Sequence, residues 1–256
     1  MMNRRPKIRR MRGLATILVS CLLLVVTGAG RGLVAAGEKP VDLELILAVD
    51  TSSSVSQDEF ELQMRGLSEA FRNKAVAEAL EASGDLGVAV ALIQWADNRK
   101  QIISIDWTVL RDAEQATHFA DQIDATPRFV IGGGTAIGGL IKYGLRQLER
   151  NAFEGRRKVI DISGDGRTNQ GIHPLRLKDA VNAQGVTVNG MAILNEDPAI
   201  GRYYRDFVIS GTGAFVMSAT NYEDFSAAML EKLVKEISGP PIARRGPVKR
   251  ALPAAS

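Results

Sequence analysis

The chain has 256 residues, of which 45% are hydrophobic and 24% charged, enough apolar content for one large core or two small ones. Its formal charge of +3 hides an uneven distribution. Without residues 1–36, which hold seven bases and no acid, 25 bases face 29 acids; without the last eighteen residues as well the remainder is near −8, which gives no support to nucleic-acid binding.

Taken in order, the chain opens with Arg4, Arg5, Lys7, Arg9, Arg10 and Arg12, then an almost wholly apolar run from Gly13 to Val26. Val34, Ala35 and Ala36 follow as a small-residue cleavage site. This three-part pattern predicts a secretory signal peptide over residues 1–36, with an uncleaved anchor as the alternative. Export to the periplasm or beyond is the corresponding expectation. Cys21, the single cysteine, sits in this segment, so the remainder has no disulfide or thiol chemistry. Leu18 to Cys21 is similar to a lipid-attachment box, but the apolar run continues past it, which favours cleavage over lipidation.

Leu43 to Val49 is a short apolar run of the kind expected for a strand buried on both faces. It ends at Asp50-Thr51-Ser52-Ser53-Ser54, and Ser56 with Asp58 and Glu59 marks the start of a helix reaching about Asn73. A second helical piece, Lys74 to Ala82, precedes a strand from Leu86 to Trp95 and a shorter one from Gln101 to Ile105. Leu110 to Ile123 reads as an amphipathic helix. The helix predicted from Thr135 to Glu149 begins in the glycine-dense run 132–139, and Lys158 to Ser163 is the next buried strand. A helix near Pro174 to Ala183, a strand from Val186 to Leu194, an irregular stretch from Asn195 to Ser210, a strand from Gly213 to Ser218 and a helix from Tyr222 to Ile237 complete the body. Residues 239–256 are rich in Pro and Ala, carry Arg244, Arg245, Lys249 and Arg250, and are expected to be disordered. Four charges near an anionic lipid surface contribute roughly 1 kcal/mol each, so weak lipid contact by this tail is a further expectation.

Alternating strands and helix-length crossovers predict an α/β protein: a three-layer, doubly wound, mainly parallel sheet with helices on both faces, over residues 37–238. Ligands in such sheets sit beyond the carboxyl ends of the strands. Three predicted strand-end or helix-start loops carry chemistry there: Asp50 with Ser52 and Ser54, Thr135 after three glycines, and Asp165 in Ser163-Gly164-Asp165-Gly166. Together they bring two carboxylates and three hydroxyls, oxygen donors suited to a hard cation. The plainer reading is that these residues cap helices and turns. Gly132 to Thr135 is not a phosphate loop, because no Gly-Lys-Ser/Thr ending follows.

This constellation resembles the metal-ion-dependent adhesion site of von Willebrand factor A-type (VWA) domains: Asp-x-Ser-x-Ser, a distant Thr and a distant Asp. Asp50, Ser52 and Ser54 match the first element, Thr135 the second and Asp165 the third. The resemblance is nearest to an exported bacterial VWA-like group of unknown function (DUF1194-like), whose strand ends Asp-x-Ser-Gly-Asp-Gly, here Asp161 to Gly166. One departure is Gly164, where Thr is usual, so that Asp165 lacks a neighbouring hydroxyl. The resemblance implies a Rossmann-like VWA fold and Mg²⁺ or Mn²⁺ held directly by Ser52, Ser54 and Thr135, with Asp50 and Asp165 acting through water. It also implies a partner protein whose Asp or Glu carboxylate completes the ion's shell. The function expected is thus non-enzymatic, cation-dependent protein binding.

The alternative is a metal-assisted hydrolase acting on a phosphate or acyl ester, for which Ser53 and His173 are the only candidate nucleophile and base. Asp161, inside an apolar strand, needs a partner and reads as structural. His118 reads as a surface residue. Asp97, Trp107, Tyr203 and Tyr204 are candidates for a partner-recognising rim.

Overall fold

The computed structural model describes residues 38–239. The signal peptide expected over 1–36, Cys21 and the tail beyond Gly239 lie outside the described residues. Six strands form one sheet in the order β3-β2-β1-β4-β5-β6. They are β1 (Lys39–Asp50), β2 (Val88–Trp95), β3 (Gln101–Leu110), β4 (Phe153–Gly164), β5 (Val186–Ile193) and β6 (Val216–Ala219). All neighbours run parallel except β3, which returns antiparallel beside β2. The chain leaves β1 for β2 on one side and reaches β4 on the other, so the order reverses at β1/β4. The crevice beyond Asp50 and Gly164 is therefore the topological switch point, where open α/β sheets bind ligands.

Period-two alternation in β1 divides the core. Leu43, Leu45, Leu47 and Val49 pack into a layer with α1 (Gln57–Arg72), α2 (Lys74–Ser83), α3 (Ala113–Ala125) and α7 (Phe225–Ser238). Ile46 and Ala48 point the other way, against α4 (Ile137–Arg150), α5 (Lys178–Ala183) and the segment holding α6 (Ile200–Tyr203). Every residue of β2 is buried, which is why it reads as an apolar run interrupted only by Gln94. Among the described residues no helix is long and apolar enough to cross a membrane.

Several boundaries differ from the sequence reading, each for a local reason. β3 continues to Leu110, and α3 starts only at Ala113, where the Asp112 side chain accepts from Gln115 N at 2.8 Å. β4 begins at Phe153 because Lys39 and Pro40 of β1 extend alongside it, although Glu154, Arg156, Arg157 and Lys158 are charged. α4 starts at Ile137, leaving Thr135 in the loop before it. The stretch Pro174 to Ala183 is a 3-10 turn (Pro174–Leu177) followed by α5, and Tyr204–Val208 forms a single π turn after α6.

Candidate functional site

β1 delivers Asp50 to the floor of the crevice, fully buried. The chain then turns back on itself. Ser52 N donates to Asp50 Oδ1 at 2.8 Å, and Thr51 N and Oγ1 both donate to Trp95 O at 2.9 Å, fastening the loop to the end of β2. Ser56 ends the turn by capping α1 in a reciprocal box with Glu59. The Ser52 and Ser54 hydroxyls lie 3.2 Å apart, and Ser54 Oγ donates to Asp165 Oδ1 at 2.8 Å. Thr135 Oγ1 reaches Ser52 Oγ at 3.4 Å. All five residues singled out in the sequence thus meet in one hydrogen-bonded cluster.

The side chains holding this cluster were not signalled by the motif. Arg128 Nη2 donates to Thr51 O (2.9 Å), Ser52 O (3.4 Å) and Val55 O (2.9 Å), wrapping the loop after β1 around one guanidinium. Asn169 fixes Thr135: its Oδ1 accepts from Thr135 N at 2.8 Å, and its own N donates to Thr135 O at 2.9 Å. Gly133 and Ser53 exchange two bonds, Gly133 N to Ser53 Oγ at 2.9 Å and Ser53 N to Gly133 O at 3.0 Å. Gly133 holds φ at +113°, and a β-carbon there would meet Asp97 Oδ2 at 2.7 Å, so both conformation and space require glycine.

The missing hydroxyl beside Asp165 is made good from elsewhere. Tyr222 OH donates to Asp165 Oδ2 at 3.0 Å. A β-carbon on Gly164 would lie 2.8 Å from both Asp50 Oδ2 and the Tyr204 hydroxyl, and one on Gly190 would lie 2.5 Å from Tyr204 Cδ1. The Tyr204 ring fills the space that these two glycines leave under the site. Position 164 has no room for threonine.

Electrostatically the cluster is poised for positive charge. Burial, and then the charge of Asp165, push the Asp50 carboxyl up to about 7. Burial also raises Asp165, against the lowering effect of its bonds from Ser54 and Tyr222. Asp50 Oδ2 and Tyr204 OH are buried without a hydrogen-bond partner. No group of three or more His, Cys, Asp or Glu side chains converges among the described residues, so a cation here would depend on hydroxyls. Two reluctant carboxylates, three adjoining hydroxyls and an orphaned inner oxygen fit a hard divalent ion and its water.

Other expectations fall differently. Asp161 faces the fully buried Lys232 of α7, the partner its burial demanded. His173 accepts from Leu175 N at 3.3 Å and packs edge-on against Tyr203 and Phe207. His118 is exposed on α3. The rim reading needs correction at three positions. Trp107 packs against Phe153 of β4 at the opposite end of the sheet, and Tyr203 and Tyr204 are both buried.

A family model described as a protein of unknown function (DUF1194) matches residues 40–241. The chain belongs to this DUF1194 family. No curated protein matches it. The DUF1194 chain shares its fold with solved von Willebrand factor A structures at low identity. One is proximal thread matrix protein 1 of the mussel byssus, 17% identical with a TM-score of 0.56, over 78% of this chain and 48% of that one. A further structure of that mussel protein carries a zinc-occupied MIDAS motif (19% identity, TM-score 0.50, 78% and 49% covered). A von Willebrand factor type A protein from Catenulispora acidiphila is 16% identical with a TM-score of 0.52, over 77% and 43% of the chains. The SpRpn10 VWA domain is 15% identical, TM-score 0.51, over 72% and 94%. The DUF1194 chain spans about half the length of the mussel and Catenulispora proteins.

Proposed function

We propose that this chain is an exported, cation-dependent protein-binding module rather than an enzyme. Ser52, Ser54 and Thr135 hold a Mg²⁺ or Mn²⁺ ion directly, and Asp50 and Asp165 hold it through water. Once bound, the ion presents an open position to a carboxylate of a partner protein. Neutral hydroxyls quench little of its charge, so that position stays attractive to an anion.

The observation that carries this reading is the Ser52–Ser54–Thr135–Asp165 cluster above the unpartnered, buried Asp50 Oδ2. Helix capping alone leaves that oxygen unexplained, since Ser56 and not Ser52 or Ser54 caps α1. A mussel structure of the same fold with zinc in its MIDAS motif supports a divalent ion at this position. The hydrolase alternative requires a free base near the hydroxyls, whereas His173 is engaged with Leu175 N and two aromatic rings.

The test is calorimetric titration of the purified protein with Mn²⁺ and Mg²⁺, paired with capture from envelope extract with and without chelator. Wild type binds one ion and retains a partner only without chelator. Ser52→Ala with Ser54→Ala loses both and keeps its circular dichroism spectrum. Ion binding that survives this double substitution refutes the assignment.

A further inference from the structure

Three of the four large apolar side chains exposed among the described residues stand together: Phe129 (55% exposed), Ile131 (71%) and Ile102 (41%). With Arg99, Lys100 and Val130 they line an open cleft of about 460 Å³. Isolated exposed apolar residues are ordinary, but a rimmed cluster of them marks a binding surface.

The exposure is enforced by the loop. Buried Gln94 at the end of β2 accepts from Phe129 N at 2.7 Å and Val130 N at 3.2 Å and donates to Pro127 O at 2.8 Å. Val130 is thereby turned into the core, so its neighbours on either side, Phe129 and Ile131, face outward. Lys100 Nζ clamps the far side through Ile131 O and Gly132 O, both at 3.1 Å. Fixed in this way, the loop has no means of folding its two apolar side chains away.

This loop is also fastened to the proposed ion site, through Arg128 on one flank and the Gly133–Ser53 pair on the other. Two trans peptide units place the Ile131 Cα within ~7.6 Å of the Gly133 Cα. Gly133 in turn touches Ser53, between Ser52 and Ser54. An extended partner strand advances about 3.3 Å per residue. A chain whose carboxylate reaches the ion and which runs on past Gly133 therefore lays its neighbouring residues over this patch.

We infer that the patch selects the partner: the site takes an acidic segment carrying a bulky apolar side chain within about four positions of the ion-binding Asp or Glu. The inference rests on the cation-dependent reading above. Charge identifies the occupant. Arg99 is exposed on the rim and, with the ion, favours a negatively charged segment, whereas the Lys100 ammonium is held by the loop carbonyls and by Asp97 at 3.9 Å. The chain's own residues 240–256, with Arg244, Arg245, Lys249, Arg250 and no acid, have the wrong sign.

The test is selection of phage-displayed random dodecapeptides on the full-length purified protein in Mg²⁺, eluted with chelator. Enriched peptides are expected to pair Asp or Glu with Phe, Leu, Ile or Trp within four positions, among further acids. A synthetic peptide of that consensus should bind Phe129→Ser/Ile131→Ser about tenfold or more weakly, the loss expected for an interface anchor. Arg99→Glu, which leaves the apolar residues in place, should also weaken it. Both variants should titrate with Mn²⁺ as wild type does.

Enrichment of acids without apolar neighbours, or equal binding by the serine variant, overturns the inference while leaving the ion site standing. No chelator-eluted peptide from a protein that does bind Mn²⁺ also overturns it, as does Mg²⁺-dependent self-association through this face. A wild type that fails to bind Mn²⁺ removes the parent reading, and this one with it.

Discussion

The Ser54 hydroxyl donates to Asp165 Oδ1 at 2.8 Å and joins the loop after β1 to the end of β4 across 111 positions of sequence. A carboxylate whose ionisation is opposed by burial is here held by two hydroxyls, Ser54 and Tyr222. Asp50 lies in the same low-dielectric floor, and its carboxyl is raised partly by Asp165.

Asp165→Asn therefore has opposite effects with and without ion. It removes one of two mutually repelling buried acids, so the cation-free variant should be at least as stable as wild type in urea. Wild type should gain about 2.7 kcal/mol when Mg²⁺ is present at a hundred times its dissociation constant. The variant should lose that gain. Denaturation curves with Mg²⁺ and with chelator measure both, and a wild type indifferent to Mg²⁺ contradicts the scheme.

Gly164 and Tyr204 give a prediction independent of any ion. A methyl at 164 meets Asp50 Oδ2 and the Tyr204 hydroxyl at 2.8 Å, so Gly164→Ala should cost about 1–3 kcal/mol through overpacking. Tyr204→Phe removes an unpartnered buried hydroxyl together with one of those contacts. The double variant should accordingly be more stable than the sum of the single effects. Additive costs in a urea double-mutant cycle exclude the steric account.

These two residues also show where the sequence was legible. The parallel strands were readable because both faces are covered, which turns β1 and β2 into apolar runs ending abruptly at Asp50 and near Trp95. The five oxygen-bearing residues were readable because their spacing is local to three turns. Their supports were not. Arg128, Asn169, Tyr204 and Tyr222 act across 34 to 77 positions or from an irregular π turn, and no periodicity marks such residues. Lys232 gave no signal either: on an amphipathic helix a lysine reads as solvent-facing, and only the structure sets it against Asp161 and Glu236.

Arg128 offers a test of that hidden support. Its Nη2 donates to the Thr51, Ser52 and Val55 carbonyls while its Nε donates to Val130 O at 3.3 Å, two separated donors that one ammonium group cannot reproduce together. Arg128→Lys should leave at least one of these carbonyls unsatisfied, at about 1–3 kcal/mol. Amide exchange of Ser53 and Ser54 should accelerate while that of β1 stays slow. Unchanged exchange in the loop argues against the clamp.

The buried charges at the other end of α7 make folding sensitive to pH. Lys232 sits against Asp161 and at 2.6 Å from Glu236, whose Oε1 also accepts from Asn189 Nδ2 at 2.9 Å. Two acids share one base, and burial, then Asp161, push the Glu236 carboxyl up from 4.5 to about 7. Because the folded state holds this proton more tightly than the unfolded chain, its contribution is full below pH 4.5 and is lost as pH rises to about 7. Glu236→Gln keeps the bond with Asn189 and leaves Lys232 and Asp161 as a neutral pair. The variant should be more stable relative to wild type at pH 8 than at pH 5. Lys232→Ala, which strands two acids in the core, should instead cost about 3–5 kcal/mol at pH 8 and less at pH 5, where Glu236 is protonated. Urea melts of the three proteins at both pH values decide the matter: parallel pH profiles for wild type and Glu236→Gln mean that Glu236 does not carry the proton.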